Sequence, residues 1–473
     1  MSGATLGHGL ESLTLFSDPV DLLAYRRDCS VVAPGEPELV ARPRDVDEVA
    51  TVIARAGRER VPLYVRGGGS MYAGGVNPHA GGIVLDMAGM DRILELDLAR
   101  GIVVVEPGVR FGALLEALAP HGQTVGIVPL TGPTATVGGA VSAHALGSGS
   151  PRHQSMGDCV AGLEVLLADG TRLRTGSAAC AGAGFFQRYC IGPDLTGIFL
   201  GADASFGVVT AVALWLVPLP AVRDTLTLGF AGASAAGEFV TAVQGRELTR
   251  NVWYAAGYEG ATVHARMMQA EPATDRATLP GFCVCFDLGG DGDAVAADRT
   301  RLLELAGDHG GAEYAPFDAV YFRRLRYDES YWYSFAGYFS RSRCAILMSS
   351  LPSDRLADFV ATVDTQRAQW SDFLWGAAVV VCRRGLHGGV LVFYDERREW
   401  DTITTAVDGA AEALVAAGCV PYKSGKQWAA QVRDMHAYSS VLERLKSALD
   451  PAGMLAPGNL GLGDPGRGAR PGG

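Results

Sequence analysis

Runs of glycine are the residues of this chain best placed to hold a ligand. Val65-Arg66-Gly67-Gly68-Gly69-Ser70-Met71-Tyr72-Ala73-Gly74-Gly75 directly follows a strand-like run. Consecutive glycines let successive backbone N–H groups point one way, which makes a nest for a phosphate. The spacing is not the G-x-G-x-x-G of a doubly wound dinucleotide fold, because Tyr72 stands where the third glycine belongs. Alone, the run is either a ligand loop or an ordinary turn. A second cluster, Pro129-Leu130-Thr131-Gly132-Pro133-Thr134-Ala135-Thr136-Val137-Gly138-Gly139-Ala140, is poor in charge and rich in small residues. It offers hydroxyls and free N–H groups to a pyrophosphate or a flat ring edge. Two such loops, each after a strand, point to a dinucleotide.

At 473 residues the chain is long enough for two domains. Apolar residues make up 48% and charged residues 19%, the balance of a globular protein with a large interior. A net charge of −11 without a basic run argues against nucleic acid as the partner. The N-terminus has neither the basic nor the apolar region of a secretory signal. No stretch approaches the roughly 18 apolar residues of a membrane span. The expectation is a cytoplasmic protein with no membrane partner. Nine cysteines lie scattered without metal-ligand spacing, so no metal is expected. Cys283 and Cys285 are expected to be a buried structural pair on one face of a strand.

The elements that must position the two loops alternate over the first 220 residues. VPLYVRGG, GGIVLDM and RGIVVVEPG read as strands, and DVDEVATVIARAGRER and RFGALLEALAPHG as amphipathic helices. Asp45 or Asp47 can cap the first helix. AGLEVLLADGTRLRTG reads as a hairpin turning at Asp169-Gly170. Residues 1–220 are therefore expected to be the ligand-binding domain. Residues 221–415 carry strands such as GFCVCFDLGG and GGVLVFYDE between longer helices, which predicts a cap domain with an antiparallel sheet covered by helices. Residues 416–462 return to the first domain, and residues 463–473 form a disordered Gly/Pro/Arg tail. The fold class is α+β.

Gly192-Pro193-Asp194-Leu195-Thr196-Gly197-Ile198-Phe199-Leu200-Gly201, continuing through Ser205-Phe206-Gly207-Val208-Val209-Thr210, resembles a segment of the vanillyl-alcohol oxidase/p-cresol methylhydroxylase flavoproteins. The 66–75 loop is similar to their pyrophosphate loop, Glu106-Pro107-Gly108-Val109 to their E-P-G-V turn, and Asp450 to Asn459 to their D-P-x-x-I-L-A-P-G-K close. The matches run in order over residues 40–220 and 418–462; the cap carries none. The resemblance implies a PCMH-type domain with two subdomains around FAD. It implies cofactor contacts from Arg66, Gly67, Gly68, Gly69, Ser70 and Met71, from Pro129, Thr131, Gly132, Thr136, Gly138, Gly139 and Ser142, and from Val208, Val209 and Asn459. Relatives that bond FAD covalently use a histidine, a cysteine or a cap residue at places where this chain has none, so FAD is expected to be non-covalent. His144 and His153 are the remaining anchoring candidates.

Gly157-Asp158 with Gly162 to Gly170 resembles the phenol-oxidising branch, which implies that Asp158 sits near flavin N5 and moves a proton. Tyr422-Lys423 resembles its phenolate-binding Tyr-Arg pair, with lysine keeping the charge and losing the planar fork. Tyr422, Lys423 and Asp158 are thus the expected catalytic residues. The dense aromatics of Tyr321 to Phe339 are either a substrate wall or core packing, and His387 is a further site candidate. The expected activity is oxidation of a small aromatic or specialised-metabolite substrate by hydride transfer to FAD, with O2 or another carrier as acceptor. A 2-hydroxy-acid or alditol oxidase is the alternative, and a non-catalytic flavin binder a third. Oligomeric state stays open, a homodimer included.

Overall fold

The computed structural model describes residues 3–259, 279–314 and 343–463. Within them the chain builds three principal sheets, each with a place in forming the site. The first orders Thr14–Phe16, Leu39–Arg42, Ile83–Asp86 and Leu63–Arg66, the last three parallel. Helix Val46–Glu59 covers it with Val49, Val52, Ile53 and Ala56, the stripe that a 3.6-residue period predicts. Asp45 caps this helix, its carboxylate accepting from the N–H groups of Asp47 at 3.0 Å and Glu48 at 2.9 Å. Leu63–Arg66 then feeds straight into the first glycine loop.

The second sheet is antiparallel and orders Arg172–Arg174, Val160–Leu166, Val208–Pro218, Ile102–Val105 and Ile93–Asp97. The hairpin of the first two strands forms as expected, with Gly170 at φ 85° in its turn. Helices Phe111–Leu118 and Val137–Ser142 pack on this sheet and frame the second loop.

The third sheet holds eight strands and runs from Val222 to Pro421, antiparallel throughout. Its strands alternate in the two-residue period of a pleated sheet. Val284, Phe286, Ala345, Leu347, Val379 and Val390 face helices Ala233–Gly245, Gly292–Asp308, Leu356–Gln369 and Trp400–Ala416. Tyr254, Tyr258, Cys283, Cys285, Ile346, Met348, Val380 and Leu391 form the opposite face, toward the first domain. The cap is therefore an antiparallel sheet with helices on one side, as the sequence predicts. Cys283 and Cys285 are buried on one face and unbridged.

The C-terminal segment closes the molecule. Helix His436–Leu449 places Lys446 in the interior, where its ammonium donates to Asp450 Oδ2 at 2.7 Å and to the Ser205 carbonyl at 2.8 Å. The Leu63 N–H donates to the Met454 carbonyl at 2.8 Å, which adds the last segment beside the first sheet. Among the described residues no helix is long and apolar enough to cross a membrane. The Tyr321 to Phe339 aromatics and the tail after Gly463 lie outside the described residues.

Candidate functional site

The two glycine loops meet face to face and form one end of a cavity that extends to the cap. Glycine is required where they touch. A Cβ at Gly67 would strike Thr136 Oγ1, one at Gly68 would fall on the Thr134 carbonyl, and one at Gly138 would enter Pro107. Ser70 Oγ and Thr131 Oγ1 bridge the loops at 3.3 Å.

The loops differ in what they offer a ligand. The N–H groups of Gly68, Gly69, Ser70 and Met71 donate to no protein acceptor among the described residues, and all four residues line the cavity, as a backbone anion nest would require. The second loop has mostly spent its donors. Gly132 donates to the Pro129 carbonyl at 2.9 Å, Thr134 and Ala135 to that of Thr131 at 2.9 and 2.8 Å, and Gly138 to that of Pro107 at 2.9 Å. Gly139 donates to Thr136 Oγ1 at 3.3 Å. The expectation of free N–H groups there is corrected: the second loop's donors are mostly paired within the protein, whereas those of the first loop are not.

Of the expected cofactor residues, Gly67, Gly68, Gly69, Ser70, Met71, Pro129, Thr131, Thr136, Gly138, Gly139, Ser142 and Val209 line the cavity. Arg66, Gly132, Val208 and Asn459 do not. The Arg66 guanidinium lies beneath Gly69, stacks over Tyr25 at 5.6 Å and donates to the Arg27 carbonyl at 3.1 Å, so it braces the loop from behind. Asn459 Nδ2 donates to the carbonyls of Gly75 and Asp203, both at 2.9 Å, while its Oδ1 accepts from Lys426 at 2.7 Å. It ties the C-terminal segment to the loop. Val208 packs into the core of the first sheet.

The cap supplies the other end of the cavity. Its wall is apolar and aromatic: Tyr254, Tyr258, Ile346, Met348, Val380 and Leu391. Tyr72 from the first domain joins them, and Tyr422, Lys423 and His387 are the polar groups among them. Lys423 sits at φ 54°, a left-handed position that a non-glycine residue holds only under constraint. Its ammonium lies 4.8 Å from the Tyr72 ring centre and 5.9 Å from that of Tyr422. Among the described residues no carboxylate lies within ion-pair distance of it, and its charge acts on the carboxyl of Asp203 only at longer range.

Tyr422 is buried, and its hydroxyl donates to the His144 carbonyl at 2.5 Å, a bond that fastens the cap to the first domain. Burial, then the nearby Tyr72, holds its phenol well above the ordinary range. Its ring stacks obliquely on His387, centroids 4.3 Å apart. His387 Nδ1 shares a 2.9 Å hydrogen bond with Ser350 Oγ, which leaves Nε2 as the available nitrogen. Burial, helped by His144 and Lys423, brings this imidazole down to about 3.

Asp158 is not brought to the cavity. It is exposed, and its carboxylate accepts from Ser155 Oγ, which in turn bonds His144 Nε2 at 2.7 Å. It steadies the histidine whose carbonyl holds Tyr422. Neither His144 nor His153 lines the cavity. The residues that the sequence reading did not single out are Tyr72, Tyr254, Tyr258, Met348 and Asp203.

Comparisons with known proteins agree with this division. Residues 37–176 match the family described as FAD binding domain. The glycolate oxidase subunit GlcD of Bacillus subtilis is 32% identical over 219 residues, 46% of this chain and 45% of GlcD. A mitochondrial D-lactate dehydrogenase [cytochrome] of Arabidopsis thaliana is 31% identical over 184 residues, 39% of this chain and 31% of the relative. These matches span less than half of each relative's own length. In structure, p-cresol methylhydroxylase with substrate bound superposes with a TM-score of 0.82 at 18% identity, covering 97% of this chain and 96% of that one. The likeness to the vanillyl-alcohol oxidase/p-cresol methylhydroxylase flavoproteins is thus one of fold, whereas these sequence relatives are named for 2-hydroxy acids. The unpaired N–H groups of residues 68–71 and the close approach of the loops at Gly67, Gly68 and Gly138 fit a flavin dinucleotide. The chain carries an FAD-binding domain of the kind found in flavin oxidases and dehydrogenases.

Proposed function

We propose that the protein is an FAD-dependent oxidoreductase that oxidises a 2-hydroxy acid with an apolar substituent, and that FAD is held without a covalent bond. Lys423 carries this reading: it is a cation at the cavity wall without a carboxylate partner among the described residues, set among apolar side chains. Relatives named for glycolate and D-lactate favour a 2-hydroxy acid. The walls of Ile346, Met348, Val380 and Leu391 favour a larger apolar substituent than either carries.

FAD, when bound, supplies the two-electron acceptor for the hydride leaving the hydroxyl-bearing carbon. The chain's own residues do the rest. Lys423 holds the carboxylate, and the apolar wall keeps water from that ion pair. His387, oriented by Ser350, accepts the hydroxyl proton at Nε2. An anion beside this imidazole raises its low basicity, so the substrate itself strengthens its base. Tyr422, Ser155 and Asp158 act as positioning residues through His144.

A second reading, oxidation of a para-substituted phenol, is favoured by the four tyrosines around the cavity, Tyr72, Tyr254, Tyr258 and Tyr422. Against it stands the Tyr422 hydroxyl, whose proton is given to a backbone carbonyl and not to a phenolate. The test is loss of the flavin band under anaerobic conditions, with 2-hydroxyisocaproate and phenyllactate of both hands set against 4-ethylphenol. Bleaching by one hand of a hydroxy acid supports the reading. Bleaching by the phenol alone replaces it with the second.

A further inference from the structure

The cap sheet holds a glycine on the cavity wall that its own packing does not require. Cross-strand pairing sets Met348, Gly389, Ala378 and Tyr258 side by side in one row over four adjacent strands. All four line the cavity. The row therefore runs large, small, small, large. Strands lie about 4.8 Å apart, so the two small residues leave a trough about two strands wide between the thioether and the phenol ring. His387 precedes Gly389 by two residues on strand Leu386–Tyr394, hence on the same face, and Leu391 follows it by two. The trough opens about 7 Å along the strand from the imidazole.

The two glycines of this strand stand there for different reasons. A Cβ at Gly388 would lie 2.6 Å from the Phe359 ring, so packing against the cap helices excludes one. A Cβ at Gly389 would meet the Met348 side chain, Sδ at 2.8 Å and Cε at 4.0 Å, and otherwise only the Ala378 carbonyl oxygen at 3.7 Å. The Gly389 backbone is ordinary strand without a positive φ. A methionine side chain is unbranched and gives way readily. Neither conformation nor a rigid neighbour thus calls for glycine, although glycine weakens a strand. What it permits is the seat of the Met348 thioether beside its Cα. An added Cβ evicts the thioether, and the cavity is the open direction.

We propose that the trough over Gly389 and Ala378 seats the apolar substituent of the substrate, and that Gly389, through Met348, sets the size it admits. The proposal rests on the hydroxy-acid reading and names its substrate class, 2-hydroxy acids with a branched or ring-bearing substituent. The placement of the polar groups agrees. The Tyr422 N–H donates to the Met348 carbonyl at 3.2 Å, so Lys423 follows at the Met348 end of the row. His387 lies one row away on the same strand. Carboxylate, hydroxyl and substituent then have separate seats, which selects one hand of the substrate. Each methylene buried in the trough is worth about fourfold in affinity.

The test titrates FAD-loaded protein with two carboxylates that lack the hydroxyl, acetate and 3-phenylpropionate, and follows shifts of the flavin spectrum. The native protein is expected to prefer 3-phenylpropionate by more than about tenfold. Gly389→Ala cuts this preference about tenfold, and slows flavin reduction by phenyllactate relative to lactate in the same proportion. The preference is a ratio, so a general loss of binding cancels. Removing the evicted thioether as well, in Gly389→Ala with Met348→Ala, returns the preference, a repair that a merely structural role for Gly389 would not give. Ala378→Leu fills the trough from the neighbouring strand and lowers the same ratio, so the result does not hang on one variant's folding. A native protein without the preference, a Gly389→Ala variant that keeps it, or a double variant that does not regain it overturns the proposal. A native flavin that no hydroxy acid reduces defeats the hydroxy-acid reading instead, and the two dissociation constants still judge the trough.

Discussion

The two ends of the cavity are made of different material. The end built from the glycine loops is mostly backbone: N–H groups of Gly68 to Met71, with glycine where the loops approach most closely at Gly67, Gly68 and Gly138. The cap end is side chain: tyrosines and aliphatic residues, with the His387 imidazole on a strand and the Lys423 ammonium just beyond one. A backbone site tolerates no Cβ and fixes one cofactor. A side-chain site can change its ligand by exchanging residues on an unchanged sheet. The sequence relatives and the structural neighbours divide along the same line, sharing the FAD domain or the fold while their named substrates differ.

The contrast predicts its largest effect at the backbone end. Gly68→Val drives a side chain into the Thr134 carbonyl and parts the loops. The purified variant is expected to lack the flavin absorption near 450 nm entirely while its circular dichroism shows a folded chain. A variant as yellow as the native protein would mean that FAD does not depend on this contact.

At the cap end the effect is large on turnover and absent from binding of the cofactor. Lys423→Met removes the charge and keeps the length, and kcat/KM for a hydroxy acid is expected to fall roughly a hundredfold, the loss of one charged hydrogen bond of about 2–3 kcal/mol. The flavin spectrum should not change.

His387 gives a smaller effect with a direction in pH. Its folded-state value is about 3 against an ordinary 6.5, so below pH 6.5 the unfolded chain takes up a proton that the folded chain refuses. Its stabilising contribution is complete above pH 6.5 and is lost as pH falls toward 3. His153, brought down to about 4 by burial, adds to the same slope. Between pH 7 and pH 5 the native protein should lose roughly 1–2 kcal/mol per histidine, read from denaturant midpoints, and His387→Asn should remove one share of that loss.

The smallest effect is a control. A Cβ added at Gly112, in helix Phe111–Leu118, would meet nothing within 4 Å. Gly112→Ala should raise stability by about 0.5–1 kcal/mol and leave FAD binding and turnover alone, separating glycines that serve the site from those that do not.

Legibility followed the same boundary. The glycine loops could be read because consecutive glycines in patterned sequence have few other uses, and the Asp45 cap and the Asp169-Gly170 hairpin because their chemistry is local. The spending of the second loop's donors lay partly beyond local sequence: Val137 and Gly138 donate to Val109 and Pro107 elsewhere in the chain, while Gly132, Thr134, Ala135 and Gly139 donate within the loop's own turns. Nor could Tyr254 and Tyr258, whose strand Val252–Glu259 is diluted by Ala255, Ala256 and Gly257. Asp158 sits in a segment that resembles a flavoprotein motif yet stays off the cavity, and only the fold shows that it is bonded through Ser155 to His144, whose carbonyl holds Tyr422. Asp203 carried a signal in its local sequence, an acid inside a run of small residues, but its unpaired oxygen is a tertiary fact.

The account turns on a carboxylate held by Lys423, and one comparison tests that directly. The rate of anaerobic flavin bleaching should be measured with an apolar 2-hydroxy acid and with its neutral amide, on the native protein and on Lys423→Met. The account predicts that the native protein is reduced roughly a hundredfold faster by the acid than by the amide, and that the variant nearly closes this gap. Equal bleaching of the native protein by acid and amide, or a gap that persists in Lys423→Met, would contradict it.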